Sequence, residues 1–189
     1  WEYPPLSCGG LARHVEDLSK ALVRRGHTVH IVSSGAEGID CYTKDSGVHI
    51  HRTAPVKINA NNFIDEINQL NFQMAARAVE VIQKYGSFDL IHGHDWLVFW
   101  ASQVLKHGFK IPLIFTIHAT EYGRNHGLHN SLQHYIHDVE WYTCYEAWKI
   151  IVCSNYMKEE VKDLFQLPED KIKIIRNGVD IENFEVNVE

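Results

Sequence analysis

The sequence predicts an α/β protein, a doubly wound parallel sheet with helices on both faces. Three observations carry that expectation. Short runs rich in β-branched residues alternate with segments whose apolar residues recur every three or four positions, and the connections between them are short. The chain of 189 residues is 45% hydrophobic and 22% charged, enough for one buried core in a single domain, residues 1–189.

The elements follow in order. Leu11, Val15, Leu18 and Leu22 repeat at helical spacing and Gly26 follows the basic pair Arg24-Arg25, which predicts a helix over about 10–25. Thr28 to Ser34, between Gly26 and Gly35, reads as a buried strand, and VHIHR at 48–52 as another. Phe63, Ile64, Ile67, Leu70, Met74, Ala75, Val79 and Ile82 predict a long amphipathic helix over about 61–84, ended by Tyr85-Gly86-Ser87. The alternation then predicts strands over 88–92, 112–118, 149–153 and 171–175. Between them fall helices over about 97–107, 128–147 and 155–165. A Gly-Gly turn in such a sheet follows a strand, yet Trp1-Glu2-Tyr3-Pro4-Pro5, with its two prolines, is unfit for a central strand. The expectation is that a short apolar strand lies upstream of Trp1.

Composition excludes several classes. The net charge of -6 and the absence of any Lys/Arg run longer than Arg24-Arg25 argue against nucleic acid as a partner. No apolar stretch approaches the roughly 18 residues of a membrane span. Cys8, Cys41, Cys144 and Cys153 are scattered without a CxxC pair, so reduced thiols in a cytoplasm are expected.

Ligands of an open parallel sheet bind beyond the carboxyl ends of its strands, which directs attention to four stretches. Gly9-Gly10 opens a helix, where main-chain N–H groups and the helix dipole suit a phosphate; a simple tight turn is the alternative. GxGxxG and GxxxxGK[ST] are both absent, which disfavours a nicotinamide dinucleotide and P-loop chemistry. In HGHDW, residues 92–96, His92 and His94 can point to the same side, as some metal sites begin. No zinc-type spacing links the pair to His118, His126, His129, His134 or His137, so no metal is expected. Asp95 can accept hydrogen bonds from sugar hydroxyls and Trp96 offers a flat apolar face, core packing being the alternative for the indole. His118, Glu121 and Arg124 gather directly after the strand LIFTI, a cluster that packing alone explains poorly. Asn177-Gly178-Val179-Asp180 follows the last strand, with an ordinary turn as the bland reading.

WEYPP, GGLARHVEDLSKALVRRGHTVHIV, FDLIHGHDW, PLIFTIHATEYGR, CSNYMKEEV and KIKIIRNGVDIENF resemble, in that order, the N-terminal domain of retaining glycosyltransferases of the GT-B type. These are the glycogen/starch synthase-like enzymes of glycosyltransferase family 4, and the resemblance covers nearly the whole chain. It implies a Rossmann-like domain forming one half of a GT-B fold, and transfer of a hexose from a nucleoside diphosphate sugar to an acceptor hydroxyl with retention. It further implies that Gly9 and Gly10 approach the donor diphosphate, that His118 sits beside the transferred sugar as the catalytic residue, and that Asp95, Trp96, Glu121 and Arg124 line the sugar and acceptor pocket. Asn177 and Gly178 then cross towards a C-terminal donor-nucleotide domain absent from this chain. HGHDW becomes a pocket rim, and no metal or other cofactor is implied. Ser7 stands where bacterial glycogen synthases of this group carry the lysine of Lys-x-Gly-Gly, which favours the broader family. Other readings stay open: a non-catalytic carbohydrate-binding domain, half of a sugar-nucleotide epimerase, or a metal-dependent hydrolase using His92, His94 and Asp95.

Overall fold

The computed structural model describes residues 1–6, 9–54 and 60–178. Helix α1 spans Gly10–Arg24 and ends where Gly26 turns to φ +88°, the conformation glycine adopts without strain. Strands β1 (His30–Ser33), β2 (Tyr42–Asp45) and β3 (Val48–Arg52) form a small sheet in the order β1-β3-β2. β1 and β3 run parallel, whereas β2 and β3 pair antiparallel. Helix α2 (Phe63–Tyr85) follows, capped by Asn62, whose side chain accepts the amide of Asp65 at 3.0 Å.

The larger sheet holds β4 (Ile91–His94), β5 (Leu113–Ile117), β6 (Lys149–Val152) and β7 (Ile172–Ile174), parallel and in chain order. Helices α3 (Phe99–Phe109), α4 (Glu121–Asn125), α5 (Ser131–Glu146) and α6 (Asn155–Phe165) connect them. The main core gathers on this sheet around Phe99, Leu113, Phe115, Ile150, Val152 and Val161, all without exposed surface. A second cluster, Tyr3, Val48 and Ile50, lies under α1 on the small sheet, with Val15, Val23 and Ile31 packed against it.

The α/β class with parallel strands is as expected, and four details differ. The strands fall in two sheets rather than one: β1 and β4 each have a single neighbour. β2 was not anticipated. It is a hairpin arm joined to β3 through Ser46 and Gly47, both at positive φ (48° and 85°), the two-residue turn that matches strand twist. The strand expected at 88–92 starts at Ile91 instead, because the ladder with β5 begins at Ile91 opposite Leu113 while Asp89 and Leu90 face solvent. The segment after β5 was expected to stay a loop until about 128, but α4 forms first and α5 starts at Ser131, behind its cap Asn130.

Candidate functional site

The site is built at the carboxyl ends of β4 and β5, against the first turns of α1. His92 and His94 leave the same side of β4 and their rings stack, centroids 4.3 Å apart. β5 lies alongside, with Thr116 in register with His94. His92 Nε2 meets Thr116 Oγ1 at 2.8 Å, and His94 Nδ1 meets the Nε2 of His118, the residue after β5, at 3.2 Å. His14 enters from α1, with ring centroids 4.9 Å from His118 and 5.5 Å from His94. The sequence reading did not single out His14. It stands four residues after Gly10, so about 6 Å along the helix axis separates the glycine turn from the imidazoles. The glycine-opened start of α1 thus lies one helical turn from the residue whose ring meets His118.

All four imidazoles resist protonation. Burial pushes His92 down to about 4, with His14 and His118 adding repulsion. Burial, then repulsion from neighbouring imidazoles, carries His94 well below its ordinary value. His14 is lowered by burial and by His118, and His118 by burial and the Arg124 guanidinium. At neutral pH the site therefore presents uncharged rings with lone pairs and N–H donors.

Asp95 anchors the loop between these groups. It is 8% exposed, and its Oδ1 accepts the main-chain N–H of His118 at 2.8 Å while its own N–H donates to the Thr116 carbonyl at 3.0 Å. Its backbone sits at φ 55°, ψ 170°, a region that disfavours a side chain and is held here by those two hydrogen bonds. Burial raises the Asp95 carboxyl, opposed by the His118 amide and by Arg124. Arg124, exposed, lies 3.8 Å from Asp95 Oδ2 and 3.6 Å from Glu121 Oε2. Arg124 and Glu121 come from α4, whose N-terminus is fixed by the Thr120 side chain accepting the Gly123 amide at 2.9 Å. Glu140, from α5, also meets this helix and was not anticipated: both of its carboxylate oxygens accept the Glu121 amide.

Not every expected residue joins this cluster. Trp96 is 4% exposed and belongs to the main core, its ring edge-on to Phe63 at 6.1 Å. Its surroundings match core packing rather than an open sugar platform, because the chain turns inward directly after Asp95. Gly9 and Gly10 are exposed, and a Cβ at either meets nothing within 4 Å, so packing does not demand glycine there. Gly9 caps α1 without a side-chain hydrogen bond. Asn177, at the far end of β7, accepts from Cys153 Sγ at 3.1 Å, and Gly178 is exposed beside it. Ser7, Val179 and Asp180 lie outside the described residues.

The histidines after 125 stand apart from the cluster: His129 meets the Asn125 carbonyl at 3.0 Å and His137 packs on Phe165. No metal was expected, yet among the described residues one group has metal-ligand proximity, His14, His94 and His118; His92, next to them, turns to Thr116 instead. No described helix is long and apolar enough to cross a membrane, and Cys41, Cys144 and Cys153 are unpaired thiols.

This frame is shared with known proteins. A sucrose-phosphate synthase from Thermosynechococcus elongatus superposes with a TM-score of 0.78 at 18% identity, over 92% of this chain and 44% of its own. A glycosyltransferase from Rickettsia africae gives 0.57 at 22%, over 96% and 43%. In sequence, an uncharacterized glycosyltransferase of Methanocaldococcus jannaschii is 36% identical over the whole chain and 47% of its own length. The glycogen synthase of Mycobacterium tuberculosis is 36% identical over 95% of this chain and 47% of its own. The chain thus spans about half the length of these curated relatives. The profile of Glycosyltransferase Family 4 matches residues 8–183, and the chain belongs to that family.

Proposed function

We propose that this chain is the acceptor-side half of a retaining, GT-B-type hexosyltransferase, glycogen/starch synthase-like in the broad sense. It would move a sugar from a nucleoside diphosphate donor to a carbohydrate hydroxyl. The observation that supports the reading is the contact of His14, one turn from the glycine-opened start of α1, with His118 at the end of β5. A departing diphosphate gains from main-chain N–H groups and the dipole at the start of α1. Positive charge developing at the anomeric carbon is tolerated beside a neutral His118, whereas an imidazolium would repel it. Asp95 holds the His118 main chain in place, and Glu121 and Arg124 offer a carboxylate and a guanidinium to acceptor hydroxyls at the mouth. The chemistry so described needs no metal. The nucleotide pocket belongs to a second domain that this chain joins through Asn177 and Gly178, so the chain alone is inactive or nearly so. A cytoplasmic location goes with this reading, supported by the unpaired thiols.

Fusing residues 1–189 to the C-terminal half of a family relative tests the proposal. Transfer of sugar from a nucleoside diphosphate sugar is expected in the fusion and not in the chain alone, and His118→Ala lowers it at least ~100-fold. A fused protein that binds saccharide without transfer supports a binding module instead, and an epimerised nucleotide sugar as product supports an epimerase.

A further inference from the structure

We infer that His14, His94 and His118 form a three-imidazole site for a divalent transition metal such as zinc, which shares His118 with the transfer site proposed above but plays no part in transfer. One ring nitrogen of each residue lies within 4.8 Å of the other two. Tetrahedral zinc with bonds near 2.0–2.1 Å sets its nitrogen ligands about 3.4 Å apart. The 3.2 Å between His94 Nδ1 and His118 Nε2 already matches that spacing. The widest separation has to close by at most about 1.4 Å. His14, half-buried on α1, supplies that movement by rotating its side chain, while the other two are held.

The holding is specific. His94 is 9% exposed within β4, and its ring is backed by His92, which Thr116 fixes at 2.8 Å. His118 is held through its amide by Asp95. That carboxylate, one residue past His94, is also a countercharge for a dication. Nitrogen donors on neutral rings suit zinc, cobalt or nickel and disfavour magnesium or calcium, which take oxygen ligands. The proton in the His94–His118 hydrogen bond must leave that contact, which a tautomer change on the donating ring accomplishes without creating charge. A metal bound here occupies the ring nitrogen of His118, so on the reading proposed above it acts as an inhibitor rather than a cofactor.

Chelator-treated chain titrated with zinc by calorimetry, and with cobalt by visible absorption, tests this without reference to sugar transfer. One metal per chain is expected, with a tetrahedral cobalt spectrum. His14→Gln and His118→Gln are each expected to weaken zinc at least 10-fold, and His92→Gln to leave it within 3-fold. Thermal unfolding of each variant establishes that it is folded. Absence of saturable zinc binding in the parent chain, or unchanged affinity in folded His14→Gln, overturns the proposal. Either result leaves the glycosyltransferase reading standing, and failure of transfer in the fusion leaves the metal site standing.

Discussion

Glu140, 1% exposed in the middle of α5, accepts the main-chain N–H of Glu121 with both carboxylate oxygens, at 2.9 and 3.0 Å. It thereby ties α5 to the first residue of α4, the helix that carries Glu121 and sets Arg124 beside Asp95. Burial pushes the Glu140 carboxyl up to about 8, with Asp95 and Glu121 adding to the rise and the Glu121 amide and Arg124 opposing it. In the unfolded chain the same group titrates near 4.3, the ordinary value for Glu, to within about a unit. Between those values the folded chain binds the extra proton, so this group favours folding fully at low pH. Its contribution declines as pH rises through the window and levels off above about 8. Glu140→Gln keeps an acceptor for the Glu121 amide and abolishes the titration. Urea unfolding is expected to show the variant gaining on the parent from pH 5 to pH 9 by on the order of 3 kcal/mol. Parallel stability curves for the two proteins over that range would refute the assignment.

Gly93 separates the two histidines of HGHDW for a steric reason. It is buried in β4 and in register with Phe115 on β5, and a Cβ built at position 93 overlaps the edge of the Phe115 ring. That ring has no exposed surface and sits in the main core, so it has no vacant space to retreat into. Gly93→Ala is expected to cost about 1–3 kcal/mol, read as a lowered midpoint in thermal unfolding. Phe115→Leu introduced together with it recovers part of the loss, giving a coupling energy between the two sites. A variant melting with the parent would show that the strands separate freely, contrary to their packing.

How much of this was legible in the sequence depends on whether the signal is local. α1, α2 and α6 announce themselves through periodicity and caps, and β3 and β5 through β-branched runs. β2 carries Tyr42-Thr43-Lys44-Asp45, half of it charged and most of it exposed, so no apolar pattern marks it. Its only signal is the Ser46-Gly47 pair that makes the turn. Asp95, His118 and Arg124 could be found because strand ends are where an open sheet exposes its chemistry. His14 could not, because its role depends on how α1 is rotated over the sheet, and a helical pattern places a residue on a face without saying what that face meets. Trp96 failed for another reason: an indole suits a pocket rim and a core equally well, and the inward turn after Asp95 decides between them.

The gap between the two sheets supports a last prediction. β5, with a neighbour on each side, buries Leu113, Phe115, Thr116 and Ile117, whereas Ile31 and Val32 of β1 and Ile91 of β4, strands with one neighbour each, are only half-buried. Strands of a parallel sheet covered by helices are normally buried on both faces, so the open edges of β1 and β4 leave apolar surface that an added strand could cover. Trp1 lies near the carboxyl ends of both strands. Its carbonyl accepts the Ser34 N–H at 2.9 Å just past β1, its side chain packs on the main core, and its amino group is within electrostatic reach of Asp95 just past β4. A chain entering Trp1 from between β1 and β4 would run parallel to both, hydrogen-bond to both, and merge the two sheets into one. Adding five or six β-branched apolar residues ahead of Trp1 is therefore expected to raise stability by several kcal/mol, since it buries two open edges and the apolar residues beside them. Amide hydrogen exchange is the discriminating measurement. Slowed exchange at His30, Val32 and His92 supports pairing on both edges, while protection confined to the added residues, or none, would show that the edges do not take a strand.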